Sequence, residues 1–126
     1  MLERGYDGWR AYSQSKLAMV ADTFTLAERL DPDEVTVDSL HPASLMDTKM
    51  VRESFGTAMT FVEEGDDAVM RLIAGPMLEG TTGRYLSGRS EARAGEQARD
   101  PEARAQLERH ARDLVEAALA MPPPAV

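Results

Sequence analysis

A tyrosine and a lysine stand four residues apart in "YSQSK", Tyr12 to Lys16, within 126 residues that hold three tyrosines and two lysines. On a helix, residues at that spacing share a face, with about 5 to 6 Å between Cβ atoms, so a phenol and an ammonium converge. The chemistry that uses such a pair is proton transfer at a carbonyl or alcohol oxygen. A free phenol titrates near pH 10, and bringing it to about 7 takes roughly 4 kcal/mol of preferential phenolate stabilisation. One cation at about 4 Å, in a partly buried site of effective dielectric near 20, supplies that order of energy. Taken alone, the spacing fits a plain helix, on which the lysine stem lies along an aromatic ring, better than it fits the chemistry.

The pair needs a helix, and the surrounding sequence predicts one. Residues 9–30 contain no proline or glycine, and Tyr12, Lys16, Val20, Phe24, Ala27 and Leu30 recur at spacings of three and four. "LDPDE" ends the segment, because Pro32 cannot continue the hydrogen-bond ladder and the residue before it avoids the α region. Alternating β-branched residues at Val35, Thr36 and Val37 predict a strand over 35–40, closed by Pro42. Thr60 stands three residues before Glu63, a capping-box spacing, ahead of Val62, Ala68, Val69, Leu72 and Ile73; this predicts a second helix stopped by Gly75 and Pro76. "GRYLSG" predicts a strand around 84–86. Asp100 as N-cap and Pro101 in the first turn open a third helix with Leu107, Leu114, Val115 and Leu119 on its apolar side. The closing "MPPPAV" reads as a frayed tail.

Helix, strand, helix, strand, helix is an α/β order, and it implies parallel strands covered by helices on both faces. Two strands are too few for that, so the pattern reads as part of a larger sheet. Composition excludes several functions. With 43% hydrophobic and 29% charged residues the chain reads as a soluble domain of cytoplasmic type, with neither an apolar stretch of membrane-spanning length nor a secretory leader. A net charge of −8 argues against nucleic acid as a partner. The absence of cysteine removes disulfides and thiolate metal sites.

Three stretches, "YSQSKLA" at 12–18, "VTVDSLHPA" at 35–43 and "LEGTTGRYLSG" at 78–88, together resemble the C-terminal half of a short-chain dehydrogenase/reductase, most nearly bacterial members related to retinol dehydrogenases. The likeness covers nearly the whole chain in the same order. It implies an incomplete Rossmann-like, doubly wound parallel sheet: a lead-in at 1–8, a catalytic helix at 9–30, a strand and nicotinamide loop at 35–48, a substrate-loop region with a helix and last strand at 49–100, a terminal helix at 101–120 and a tail at 121–126. It also implies hydride transfer between NAD or NADP and a small-molecule carbonyl or alcohol. Tyr12 would be the general acid/base, and Lys16 its charge partner and a donor to the nicotinamide ribose. Pro42, Ala43, Leu45 and Thr48 would line the nicotinamide. The resemblance further implies a homo-oligomer paired through 9–30.

The sequence departs from that family in three ways. No glycine-rich turn between a strand and a helix is present, since "GYDG" lacks a preceding strand and "GTTG" precedes a strand. The family's catalytic serine would fall before Met1, and the asparagine of the preceding helix has no counterpart. The usual Pro-Gly is Pro42-Ala43, and the threonine is shifted to Thr48, with Asp47 in its place. The expectation is poor binding of NAD or NADP by these residues alone. The other reading is a non-catalytic module that associates with itself or with a partner.

The remaining candidates read as structural. His41 and His110 are too few for a metal site, with His41 at a strand end and His110 on a solvated helix face. "EEGDD" at 63–67 places acids where they complement a helix dipole. The eight methionines are scattered core fillers, and 91–104 reads as a solvated charged stretch.

Overall fold

The structure is a computed structural model and describes residues 5–120. The tail at 121–126 and the first half of the lead-in at 1–8 lie outside the described residues. The chain forms two compact units, one made of 1–22 and 95–126 and the other of 23–94.

The first unit contains the N-terminal part of helix α1, Gly8–Arg29, together with α4, Glu96–Arg99, and α5, Pro101–Ala120. The Asp7 carboxylate accepts the Arg10 N–H at 2.7 Å and opens α1 as an N-cap. Leu17, Ala18, Ala21, Ala98 and Leu107 line a cavity of about 320 Å³ in this unit, and Ala21 and Ala98 are buried. In this unit α1 packs through Leu17, Ala18 and Ala21; of the predicted stripe Tyr12, Lys16 and Leu30 are exposed, while Val20, Phe24 and Ala27 are half-buried. The α5 helix starts as predicted, with the Asp100 carboxylate accepting the Glu102 N–H at 3.0 Å. Of its predicted apolar side only Leu107 is covered; Leu114, Val115 and Leu119 are exposed. The short helix α4 replaces part of the stretch read as solvated.

The second unit carries the sheet. Strand β1, Ser39–His41, pairs in parallel with β2, Tyr85–Ser87, placing Leu40 beside Leu86. This is the α/β arrangement predicted, consistent with an incomplete Rossmann-like fold. The strand predicted over 35–40 forms later than its β-branched residues. Val37 instead bonds across to Thr82 and Gly83: its N–H donates to Thr82 Oγ1 at 2.9 Å and its carbonyl accepts the Gly83 N–H at 2.9 Å. An unpredicted strand β3, Ser90–Glu91, folds back antiparallel on β2 through a two-residue turn in which Gly88 has φ +58°. Arg84 bonds Glu91 at 2.6 Å, and that partner raises the guanidinium's pKa.

Between β1 and β2 run α2, Lys49–Phe55, and α3, Val62–Ala74, then a 3-10 turn at Pro76–Leu78. Helix α2 was not predicted, although its caps are plain: Thr48 Oγ1 accepts the Val51 N–H at 3.4 Å, and Gly56 closes it at φ +75°. For α3 the predicted cap shifts by one residue. Phe61 occupies the N-cap, and Glu64 Oε1 accepts its N–H at 3.2 Å, which is the return half of a capping box. Thr60 is released for a bond elsewhere. Buried Ala68 and Gly65 form the inner side of α3, and a side chain at Gly65 would collide with the Met46 sulfur.

Buried apolar residues are Ala21, Val51, Ala68, Leu86, Ala94 and Ala98, so among the described residues the interior is mostly alanine. A buried alanine removes far less apolar surface from water than a leucine, worth about 1.5–3 kcal/mol when fully buried. Leu86, on the middle strand, is the largest contributor.

Candidate functional site

In the first unit, α1 sets Tyr12 and Lys16 side by side. Lys16 Nζ lies over the tyrosine ring, 5.5 Å from its centroid, and contacts Met19 Sδ at 4.0 Å. Trp9 stacks with the same ring, with centroids 5.9 Å apart and planes inclined by 24°. Trp9, Tyr12, Lys16 and Met19 thus form one open row, on the side of the helix away from Leu17, Ala18 and Ala21. Tyr12 is 55% exposed. Neither the Tyr12 hydroxyl nor the Lys16 ammonium has an oxygen partner among the described residues. The pair is consequently available to a ligand, and both the phenol and the ammonium can donate to oxygen.

In the second unit, the loop after β1 is tied down by bonds from distant segments. His41 Nε2 lies 3.1 Å from Ser44 Oγ, and its carbonyl accepts the Gly88 N–H at 2.8 Å. Thr60 Oγ1 donates to the Ser44 carbonyl at 2.8 Å. The Leu45 carbonyl accepts the Met59 N–H at 3.0 Å, and Asp47 N–H donates to the Thr60 carbonyl at 3.0 Å. Leu45 is held at φ +45°, a left-handed conformation that leucine rarely adopts. Pro42 and Ala43 line a cavity of about 550 Å³ with His41, Ser44, Thr60, Glu64, Ser87 and Arg89. Thr48 serves α2 as its cap, with its hydroxyl already engaged by Val51.

This cavity opens at the carboxyl ends of the parallel strands, since His41 ends β1 and Ser87 ends β2. Open α/β sheets bind ligands at that edge. Thr60, Glu64, Ser87 and Arg89 were not singled out as site residues from sequence, because they reach the cavity from three separate segments. Asp67, read as a dipole complement, accepts Arg71 Nε at 3.1 Å and Arg89 Nε at 2.8 Å, tying α3 to the β2–β3 turn. His110 is exposed on α5, and no group of three or more metal-ligating side chains occurs among the described residues. Nor is any helix among them long and apolar enough to cross a membrane.

No family model matches the chain, and no solved structure matches it significantly. The chain is 34% identical over 108 residues to a protein of Streptomyces antibioticus named "Probable oxidoreductase", covering 71% of this chain and 36% of that one. It is 35% identical over 115 residues to a Mus musculus protein named "Polyprenol dehydrogenase", covering 81% of this chain and 34% of that one. A second "Probable oxidoreductase", from Streptomyces lividans, is 32% identical over 108 residues. The chain spans about a third of the length of the curated relatives it matches, and those relatives are named as oxidoreductases or dehydrogenases.

Proposed function

We propose that these residues are the C-terminal part of an NAD(P)-dependent short-chain dehydrogenase/reductase acting on a carbonyl or alcohol substrate. The observation that carries the reading is the Tyr12–Lys16 pair, adjacent, open and without an oxygen partner among the described residues. Similarity to relatives named as oxidoreductases supports it.

The donor set fits a nicotinamide nucleotide, because a ribose diol presents oxygen acceptors of the kind that the Lys16 ammonium lacks. Lys16 would hold that ribose, and Pro42, Ala43, Leu45 and Thr48 would line the nicotinamide, whether of NAD or NADP. When bound, the cofactor supplies the redox chemistry. Tyr12 gives its phenolic proton to the substrate oxygen in reduction and takes it back in oxidation. Lys16 keeps a positive charge beside the phenol throughout. Water reaches Tyr12 in the described residues, so the partly buried setting required for strong charge coupling is a further part of this proposal. The partners are the small-molecule substrate and a second copy met through 9–30, with no nucleic acid or membrane.

Two measurements test the reading. The 126-residue chain titrated with NADH or NADPH should show weak binding by nicotinamide fluorescence; tight binding would mean the cofactor site has been misassigned. Where the sequence is translated within a longer chain, that chain should turn over, and Tyr12→Phe should lower kcat by about 10²–10⁴-fold with cofactor affinity little changed. Retained turnover would remove Tyr12 from the mechanism.

A second reading, a non-catalytic self-associating or partner-binding module, is favoured by the apolar side chains left open at Trp9, Met19, Leu114 and Leu119. Turnover separates it from the first reading, which also pairs two copies through 9–30: a longer chain containing these residues should show none, while sedimentation of a Trp9→Ser, Met19→Ser variant reads the association itself. That reading requires the variant to dissociate.

A further inference from the structure

We infer that the open half of α5 is a contact surface for a second copy of the chain, the two helices pairing antiparallel through Leu107, Ala111, Leu114 and Ala118. This seam lies on α5 and not on the row Trp9 to Met19 of α1, so it depends on neither functional reading above.

Helix α5 has one apolar side, and only its first part is covered. Arg104 is buried and Ala103, Ala105, Leu107 and Glu108 are half-buried, whereas every residue of 109–120 is exposed. About 18 Å of helix thus stands with water all round it. A helical stretch of that length is marginal in water by itself, because helices in proteins draw most of their stability from packing an amphipathic face. Ala111, Leu114 and Ala118 continue the covered side from Leu107 at spacings of four, three and four, the interval that keeps one seam turned to one partner helix. Leu114 and its neighbour Val115 are each 58% exposed.

The order of side-chain sizes selects the partner. Turned antiparallel about a two-fold axis between residues 112 and 113, the stripe meets itself, with Leu107 level with Ala118 of the second copy and Ala111 level with its Leu114. Each level then sets one leucine against one alanine, and the helices keep a single separation along the seam. Parallel pairing would set leucine on leucine and alanine on alanine, leaving gaps at the alanine levels that forfeit contact. The edges of the seam accept the antiparallel arrangement: Glu108 and Val115 border one side, His110 and Ala117 the other. Glu108 is held by Arg112 of its own helix at 3.1 Å and faces Val115 of the second copy, so no like charges meet. Four levels span about 16 Å, a contact smaller than a stable interface needs, so the association is weak and is read by trapping it.

The chain has no cysteine, so single introduced cysteines report the register. Leu107→Cys and Ala118→Cys chains, mixed and oxidised, should give a disulfide between unlike chains at about tenfold the yield of either variant alone, since like positions lie about 16 Å apart along the antiparallel seam, beyond disulfide reach. Adding Leu114→Glu to both chains should lower that yield about tenfold, because a carboxylate replaces the leucine at the centre of the contact. Trp9→Ser with Met19→Ser should leave the yield unchanged, so this contact and pairing through 9–30 fail separately. In the unsubstituted 126-residue protein, 15N-labelled, the amide resonances of Ala111, Leu114 and Ala118 should move between about 0.05 and about 1 mM protein. A mixture that cross-links no better than either variant alone, a yield indifferent to Leu114→Glu, or resonances indifferent to concentration would each overturn the inference.

Discussion

The two candidate sites of this chain are held by different means. Tyr12 and Lys16 are neighbours because one helix brings every fourth residue to the same side. His41, Ser44, Thr60, Glu64 and Ser87 meet because a parallel strand pair, a loop and the start of α3 are bonded together across long sequence separations. The first arrangement depends on local backbone geometry and costs almost nothing to specify. The second exists only where the sheet is intact. A local pair is therefore robust and weakly stabilising, while a non-local cavity is fragile and tied to the stability of its unit.

Breaking the sheet should give the largest effect on stability. Leu86→Ala, at a buried position on the middle strand, is expected to cost about 2–5 kcal/mol, read as a lower urea midpoint. The resonances of Ser44, Thr60 and Ser87 should shift with it, and a stable variant with an unmoved cavity would show that the strands do not assemble the site. Next comes Gly65→Ala, whose new methyl meets the Met46 sulfur; about 1–3 kcal/mol is expected, partly recovered when Met46→Ala is added. Additive losses in that cycle would deny the contact between α3 and the loop. Thr60→Val removes the hydroxyl that ties the segment before α3 to the Ser44 carbonyl and should cost about 0.5–1.5 kcal/mol in thermal unfolding. The smallest change belongs to the local pair. Lys16→Gln removes an exposed cation over a ring, about 0.5–1 kcal/mol at most, and a larger loss would mean that the lysine does more for the fold than the geometry indicates.

The same contrast explains what could be read from sequence. Helix α1, the stops at Pro32 and Gly75, and the Asp100 cap were legible because caps and breakers act within a few residues. The Tyr12–Lys16 adjacency was legible for the same reason. The packed side of α1 was legible in part: Val20, Phe24 and Ala27 of the predicted stripe are half-buried, but its Tyr12 and Lys16 end is exposed and the buried apolar place goes to Ala21. Helix α2 is short enough that its signal, Thr48 to Gly56, was hidden inside a loop. Strand β1 formed beyond its β-branched run because Val37 found its partners in Thr82 and Gly83. Glu64, Ser87 and Arg89 carry no spacing rule at all; only the folded sheet edge gathers them.

Leu45 shows what the tied loop does to its own backbone. A left-handed leucine is disfavoured by roughly 1–2 kcal/mol, so the bonds from Met59 and Thr60 on either side act as a latch against a spring. Cut the latch, and the segment between Pro42 and Thr48 relaxes toward a different path, carrying its side chains with it. Glycine at 45 would remove the spring without touching the latch.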